Sequence, residues 1–286
     1  MKRVKFFVAC VAMLAMSAAA QGTAEWPWDF PMSTGEQFTD GELVLAPYTF
    51  YKGAIDDKED LTKKTLIVYT TNLVKAGAEK SVVRYNEEYE LPNSLIIGIP
   101  EGATAKKGDI VLTWWQSGSG MERAIVRDDS DPAAPKVDYL DMDLKQEADG
   151  TLSGFAESHA NEQLKPNSFI VLHDGEWEPG AQVAHLNSWG KWVAATLIKA
   201  TDDKVLVQDF GSKIATYPRA DCKLIPLSDE DIKPGDEVYG APINSYETFT
   251  VEKVDSERGR VWGTDRYGKK QIINILQVTR VLDDEE

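Results

Sequence analysis

Four times along the chain a Gly-x-x-Val opening introduces the same kind of segment: Gly41-Glu42-Leu43-Val44, Gly108-Asp109-Ile110-Val111, Gly180-Ala181-Gln182-Val183 and Gly235-Asp236-Glu237-Val238. The openings recur 55 to 72 residues apart. A closing motif accompanies them. Leu91-Pro92-Asn93-Ser94-Leu95-Ile96-Ile97 is echoed by Lys165-Pro166-Asn167-Ser168-Phe169-Ile170-Val171, and more loosely by Pro218 to Ile225. Recurrence at this period marks a chain built of small stacked units and speaks against one large continuous core. The units read as 37–100, 103–173, 176–227 and 233–282, after a Pro-punctuated leader over 21–36 that holds Trp26-Pro27-Trp28.

The third unit is the clearest. Gln182 to Leu186 and Trp192 to Ala200 read as strands, and Asp202-Asp203 as a turn. Lys204 to Phe210 then alternates, with Val205 and Val207 on one face and Leu206 and Gln208 on the other. Gly211-Ser212 turns the chain into Lys213 to Tyr217. Pro218 to Asp221 reads as one helical turn before a last strand, Lys223 to Pro226. Period-two alternation punctuated by Gly, Asp and Pro is the pattern of consecutive antiparallel strands. Five short strands in about 50 residues predict a small, strongly bent barrel. The other units vary this plan, the second with turn-rich insertions at Asp128 to Pro135 and Lys145 to Phe155. The expected fold class is all-β, a tandem array of four five-stranded barrels. Units this small bury only about 60% of their unfolded surface and are marginal alone. Neighbouring barrels are therefore expected to pack on one another.

The first 20 residues have a different character. Lys2, Arg3 and Lys5 precede an apolar run from Phe6 to Met16 and the small residues Ser17-Ala18-Ala19-Ala20, the layout of a secretory signal peptide. Phe7-Val8-Ala9-Cys10 faintly resembles a lipidation box, but the apolar stretch before Cys10 is only a few residues, which favours the ordinary signal. The expectation is a secreted or periplasmic protein of a bacterial envelope. Loss of this segment would take the formal charge from −16 to −19 and leave Cys222 as the single cysteine. The pattern thus excludes a disulfide scaffold and a Cys-based metal site. No segment is apolar for long enough to cross a bilayer as a helix. So acidic a chain also makes nucleic-acid binding unexpected, since phosphate neutralisation needs a basic surface. Asp283-Asp284-Glu285-Glu286 reads as a solvated acidic tail.

Within the third unit, Gly180 to Val183, Gly190-Lys191-Trp192-Val193-Ala194-Ala195-Thr196-Leu197 and Val205-Leu206-Val207-Gln208-Asp209-Phe210-Gly211 resemble a Tudor or Agenet-type domain. The resemblance covers 178–227 well and 233–282 moderately, and reaches 103–172 and 36–100 only through the repeats. It implies a five-stranded, strongly bent barrel. Many members hold methylated Lys or Arg in an aromatic cage by cation–π attraction. Here Phe210 matches one cage position, while the others are Leu186, Val193 and Val207, so a methyl-lysine reader is not implied.

Aromatic residues recur near the first loop of each unit: Tyr48, Phe50 and Tyr51; Trp114 and Trp115; Trp189 and Trp192; Tyr246 and Phe249. Trp114, Trp115, Trp189, Trp192, Phe210, Tyr217, Tyr246 and Trp262 are the candidate binding residues. They would serve either as platforms for a cationic or glycan partner or as packing between barrels, and packing is the favoured reading because exposed aromatic patches are uncommon without a partner. Trp114 and Trp115 are adjacent on a strand and must point to opposite faces. The acidic group Asp128-Asp129-Ser130-Asp131 and the trio Asp138, Asp141 and Asp143 suit hard cations, but they lack the loop-and-Gly pattern of a calcium site and read as solvated turns. His159, His173 and His185 form no zinc motif. Ser117-Gly118-Ser119-Gly120 reads as a hairpin loop, not a nucleophile elbow, and Cys222 as a small apolar filler. No metal, cofactor or catalytic residue is expected. The leading expectation is a non-enzymatic binding or scaffold protein whose acidic surface favours a basic protein or peptide partner. Envelope glycan binding through exposed aromatics is the alternative.

Overall fold

The computed structural model describes residues 26–47, 61–228 and 231–282. The signal-like segment 1–20, the first-unit aromatics Tyr48, Phe50 and Tyr51, and the acidic tail 283–286 lie outside the described residues. Among the described residues there are four five-stranded antiparallel sheets, one in each unit, and a separate two-stranded hairpin. In the third unit the strands are Gln182–Leu186, Trp192–Ala200, Lys204–Asp209, Lys213–Pro218 and Cys222–Leu224.

Every sheet has the strand order fourth, third, second, first, fifth. The fourth and fifth strands lie on opposite edges, yet one short turn joins them. In the first, third and fourth units that turn is a single 3-10 turn: Asn93–Leu95, Arg219–Asp221 and Ile275–Gln277. Three residues reach only about 10 Å, so the two edges must come together and the sheet must curl. The closing motifs are these turns.

The opening motifs have an equally specific cause. Gly41, Gly108, Gly180 and Gly235 hold φ between +89° and +93°, a conformation that a Cβ opposes. Each donates its N–H to a second-strand carbonyl: Leu73, Val126, Leu197 and Val251, at 2.8 to 2.9 Å. The N–H groups of those four residues return to Glu42, Asp109, Ala181 and Asp236. Directly beyond this reciprocal pair, the second strand carries a register shift: Leu73/Lys75, Val126/Asp128, Leu197/Lys199 and Val251/Lys253. Bulges bend the strand and increase its twist, and here they sharpen the curl at the same place in all four units.

In the first three units alternation divides the strands between two cores, while the interior of the fourth, with Phe249 and Val261, runs into the shared one. Val44, Ala46, Leu73 and Val83 fill the first barrel, and Val111, Ala124, Val126, Tyr139 and Phe169 the second. Val183, Leu197, Val205 and Val207 fill the third. The intervening residues face outward into one cluster shared by all four units, including Leu45 and Ile97, Ile110 and Leu112, Ile198 and Leu206, and Ile275 and Leu276. Each such aliphatic residue contributes about 1.5–3 kcal/mol by leaving water. The shared cluster stabilises units too small to stand alone.

Polar contacts follow the same interfaces. Leu66 of the first unit donates to the Ser212 carbonyl of the third (2.7 Å), and Thr70 to Ser119 of the second (3.1 Å). Ala194 of the third donates to Asn244 of the fourth at 2.7 Å, and Tyr246 donates back to Trp192 at 3.0 Å. The leader is part of this assembly. Trp28 and Phe30 are each 5% exposed in the shared cluster. The Trp28 indole donates to Ile214 of the third unit (2.8 Å), while Ser94 of the first unit donates its N–H to Met32 and its hydroxyl to Pro31. Glu36 pairs with Lys199 at 3.0 Å. The leader therefore straps the first unit to the third.

Candidate functional site

The eight aromatic candidates divide by burial. Trp114 is 5% exposed, on the outward face of its strand with Ile110 and Leu112, and belongs to the shared core. Tyr246 is 7% exposed, with its hydroxyl 3.4 Å from Gln182 Nε2. Neither offers a surface to a partner: alternation turns Trp114 toward neighbouring units, and Tyr246, just before the strand Glu247–Asp255, packs against Ala184 and Ile225 of the third. Trp192 is half-buried beside Tyr246. Trp115 packs edge-on against Phe155 and His159, with centroids 5.2 and 5.0 Å away. Trp262 carries Lys253 over its ring at 4.3 Å and donates its N–H to Gln146 at 3.0 Å. Tyr217 stacks on His185 at 3.8 Å and 17°, and donates its hydroxyl to Asp209 (2.9 Å). His185 is 2% exposed, so this stack closes one end of the third barrel instead of forming an open aromatic surface. Only Trp189 (83% exposed) and Phe210 (60%) stand out into solvent.

Those two share one end of the third barrel, since the first-to-second and third-to-fourth turns of an antiparallel meander lie on the same side. The Trp189 N–H bonds to Asn187 within the first turn (2.9 Å). Phe210 precedes Gly211 and Ser212, whose φ values of 72° and 57° make the second turn tight. Phe210 also forms one wall of a groove of about 330 Å3, where three units meet. Ile243 of the fourth unit, 73% exposed, lines the same groove. Its floor comes from Glu122, Arg123 and Asp141 of the second unit and Gln182 of the third.

Arg123 organises that floor. Its guanidinium grips Asp141 with two bonds, Nε to Oδ2 at 2.9 Å and Nη2 to Oδ1 at 2.6 Å. The Arg123 backbone N–H adds a third at 2.9 Å. Nη1 crosses into the third unit to reach Gln182 Oε1 at 2.7 Å. Burial works against the charge of Asp141, yet Arg123 holds its carboxyl below the usual carboxylate range. Glu122 fares differently. Its Oε2 is enclosed with no hydrogen-bond partner. Enclosure, reinforced by repulsion from Asp141, pushes its carboxyl up to about 8 against the pull of Arg123 and Arg260.

The sign of the consequence follows from linkage. Glu122 has a folded pKa above its ordinary 4.5, so the folded state keeps an extra proton between about pH 4.5 and about pH 8. The associated stability is complete below that window and declines as pH rises through it. Urea unfolding at both ends of the window should show wild type losing stability as pH rises, a loss that Glu122→Gln lacks. An unchanged pH slope in the Gln variant would contradict this assignment.

The acidic groups of the second unit are occupied by basic or main-chain partners. Asp138 pairs with Arg127 and Arg258, Asp143 with Lys145, and Asp128 accepts the Ser130 N–H. Among the described residues no three His, Cys, Asp or Glu side chains gather as a metal site. Cys222 is free and buried, and burial followed by the nearby Asp221 pushes its thiol up to about 11, far from a nucleophile. Ser117 to Gly120 forms a hairpin loop, with Trp115 and Gly120 bonded through Trp115 N–H at 2.8 Å. No helix among the described residues is long and apolar enough to cross a membrane.

No family model matches the chain, and no curated protein matches it. Among solved structures, the chain is similar to the four MBT repeats of Drosophila melanogaster Sfmbt in complex with the peptide RHR (me)K VLR. That likeness has 8% identity, spans 85% of this chain and 88% of the other, and has a TM-score of 0.17. So low a score superposes little of either backbone. The architecture described above rests on the strand pairing itself.

Sequence reasoning singled out Phe210 and Trp189 but missed Glu122, Arg123 and Ile243. A signal for Arg123 was present: alternation puts it between Met121 and Ile125 on one face of the strand, a charge flanked by apolar residues that pack on the shared core.

Proposed function

We propose that the chain is a non-enzymatic binding protein whose β-units together receive an extended, basic protein or peptide segment in the groove beside Phe210. The observation that carries this reading is the groove's composition. Two exposed apolar walls, Phe210 and Ile243, stand over a floor where the Glu122 carboxyl has an unpartnered oxygen. An Arg or Lys side chain suits that combination, its stem along the walls and its cation displacing the proton that Glu122 keeps in the empty groove. The acidic chain would steer such a partner at low salt. Export belongs to the same proposal and is supported by the basic, apolar and small-residue order of residues 1–20.

Fluorescence anisotropy with labelled Arg/Lys-rich peptides, and acidic peptides of equal length as controls, tests the proposal. Binding of the basic peptides should weaken at least tenfold from about 50 mM to about 300 mM salt. Phe210→Ala and Ile243→Ser should each weaken it about tenfold, roughly 1.4 kcal/mol, without moving the unfolding midpoint. Binding that ignores both salt and these two substitutions would refute the groove as the site.

A further inference from the structure

A larger cleft, about 810 Å3, opens between the second and fourth units. One wall is the segment leading into the second unit's hairpin, Lys145–Gln146 with Leu152–Ser153, and the other is formed by the strands Arg260–Asp265 and Lys270–Asn274. Its volume lies within the range of about 300–1,000 Å3 typical of small-molecule sites. Most of its charged lining is already matched: Asp141 with Arg123, Asp143 with Lys145 at 3.0 Å, and Glu252 with Lys270 at 3.0 Å. Glu147 is exposed at the rim and accepts the Ser153 hydroxyl.

Arg260 is the exception. It is 4% exposed and, among the described residues, forms no ion pair. Its Nη2 donates to the carbonyls of Tyr139 (2.6 Å) and Met142 (3.0 Å). The N–H donors of Nη2 are thus used by carbonyls, while those of Nε and Nη1, which lie on opposite sides of the guanidinium, have no acceptor among the described residues. A buried cation held only by neutral carbonyls carries a desolvation cost that an anion would offset. Burial draws its pKa down to about 10, against the more distant pull of Asp141. The remaining lining includes the amides of Gln271, Asn274 and Gln277 and the ring of Trp262. It suits a hydroxylated ligand better than an aliphatic one.

We propose that this cleft binds a small, hydroxylated carboxylate of sugar-acid size, its carboxylate accepting a charge-assisted hydrogen bond from Nη1 of Arg260 and its hydroxyls meeting the neighbouring amides. This site is separate from the groove beside Phe210 and does not depend on it.

The test is titration of the full chain with D-glucuronate, and with D-glucose as the neutral counterpart, followed by amide and indole NMR shifts. Glucuronate should give saturable shifts at the Trp262 indole and the Gln271 side-chain amide, with glucose at least tenfold weaker. Arg260→Gln should weaken glucuronate at least tenfold. Should that variant fail to fold, Trp262→Ala leaves Arg260 in place and should weaken glucuronate several-fold. Absence of saturable shifts with glucuronate, equal response to glucose, or full affinity in the folded variants would overturn the proposal.

Discussion

Replacing Arg123 with alanine is expected to lower the unfolding free energy by about 2–3 kcal/mol, as urea denaturation followed by circular dichroism would measure it. Asp141, partly open to solvent, would keep only the residue 123 N–H as donor. Gln182 would lose the guanidinium bond that ties the third unit to the second. A double variant separates these causes. Arg123→Met with Asp141→Leu removes both charges and keeps apolar volume, and should recover most of the loss. If the double variant is as unstable as the single one, the orphaned carboxylate is not the cause.

The second large effect is expected at the leader. Trp28→Ala should cost about 3–5 kcal/mol, the range for truncating a buried aromatic residue. The indole fills space within the shared core and carries the bond to Ile214. The same strap brings acid sensitivity. Burial opposes ionisation of Glu36, but hydrogen bonds from Ser33 and Thr34 and the charge of Lys199 bring its carboxyl down to about 2 from an ordinary 4.5. A depressed folded pKa gives stability that is complete above about pH 4.5 and is lost as pH falls toward 2. Wild type should therefore lose stability across that acid window more steeply than Glu36→Gln. Limited proteolysis should cut the leader of Trp28→Ala first. A midpoint unchanged by Trp28→Ala would mean that the strap is decorative.

Much of the fold was legible because its signals are local. The opening glycines announce a backbone conformation that other residues resist, and the Pro-Asn-Ser closings announce the edge-joining turn. The alternation of Val205 and Val207 against Leu206 predicts two faces, and those faces supply the barrel interior and the shared core respectively. What alternation cannot say is which outward face meets which unit. Trp114 and Tyr246 therefore leave both platform and packing open, with packing favoured, until the neighbours are in place. The groove floor was hidden for the same reason. Glu122, Gln182 and Ile243 belong to three different units, and nothing in any one unit indicates that they converge. The bond between the Arg260 side chain and Tyr139 crosses 121 residues and was invisible in the same way.

The strap carries a further consequence for how the chain is assembled. Trp28 and its acceptor Ile214 are 186 residues apart, so this aromatic stretch has no seat until the third unit exists. Closing so wide a loop is entropically opposed and slow, and it must follow the local barrels. During synthesis, Trp26, Trp28 and Phe30 thus stay uncovered until the third unit has been made. Such a stretch gives a chaperone a handle that disappears only when the last-needed partner arrives.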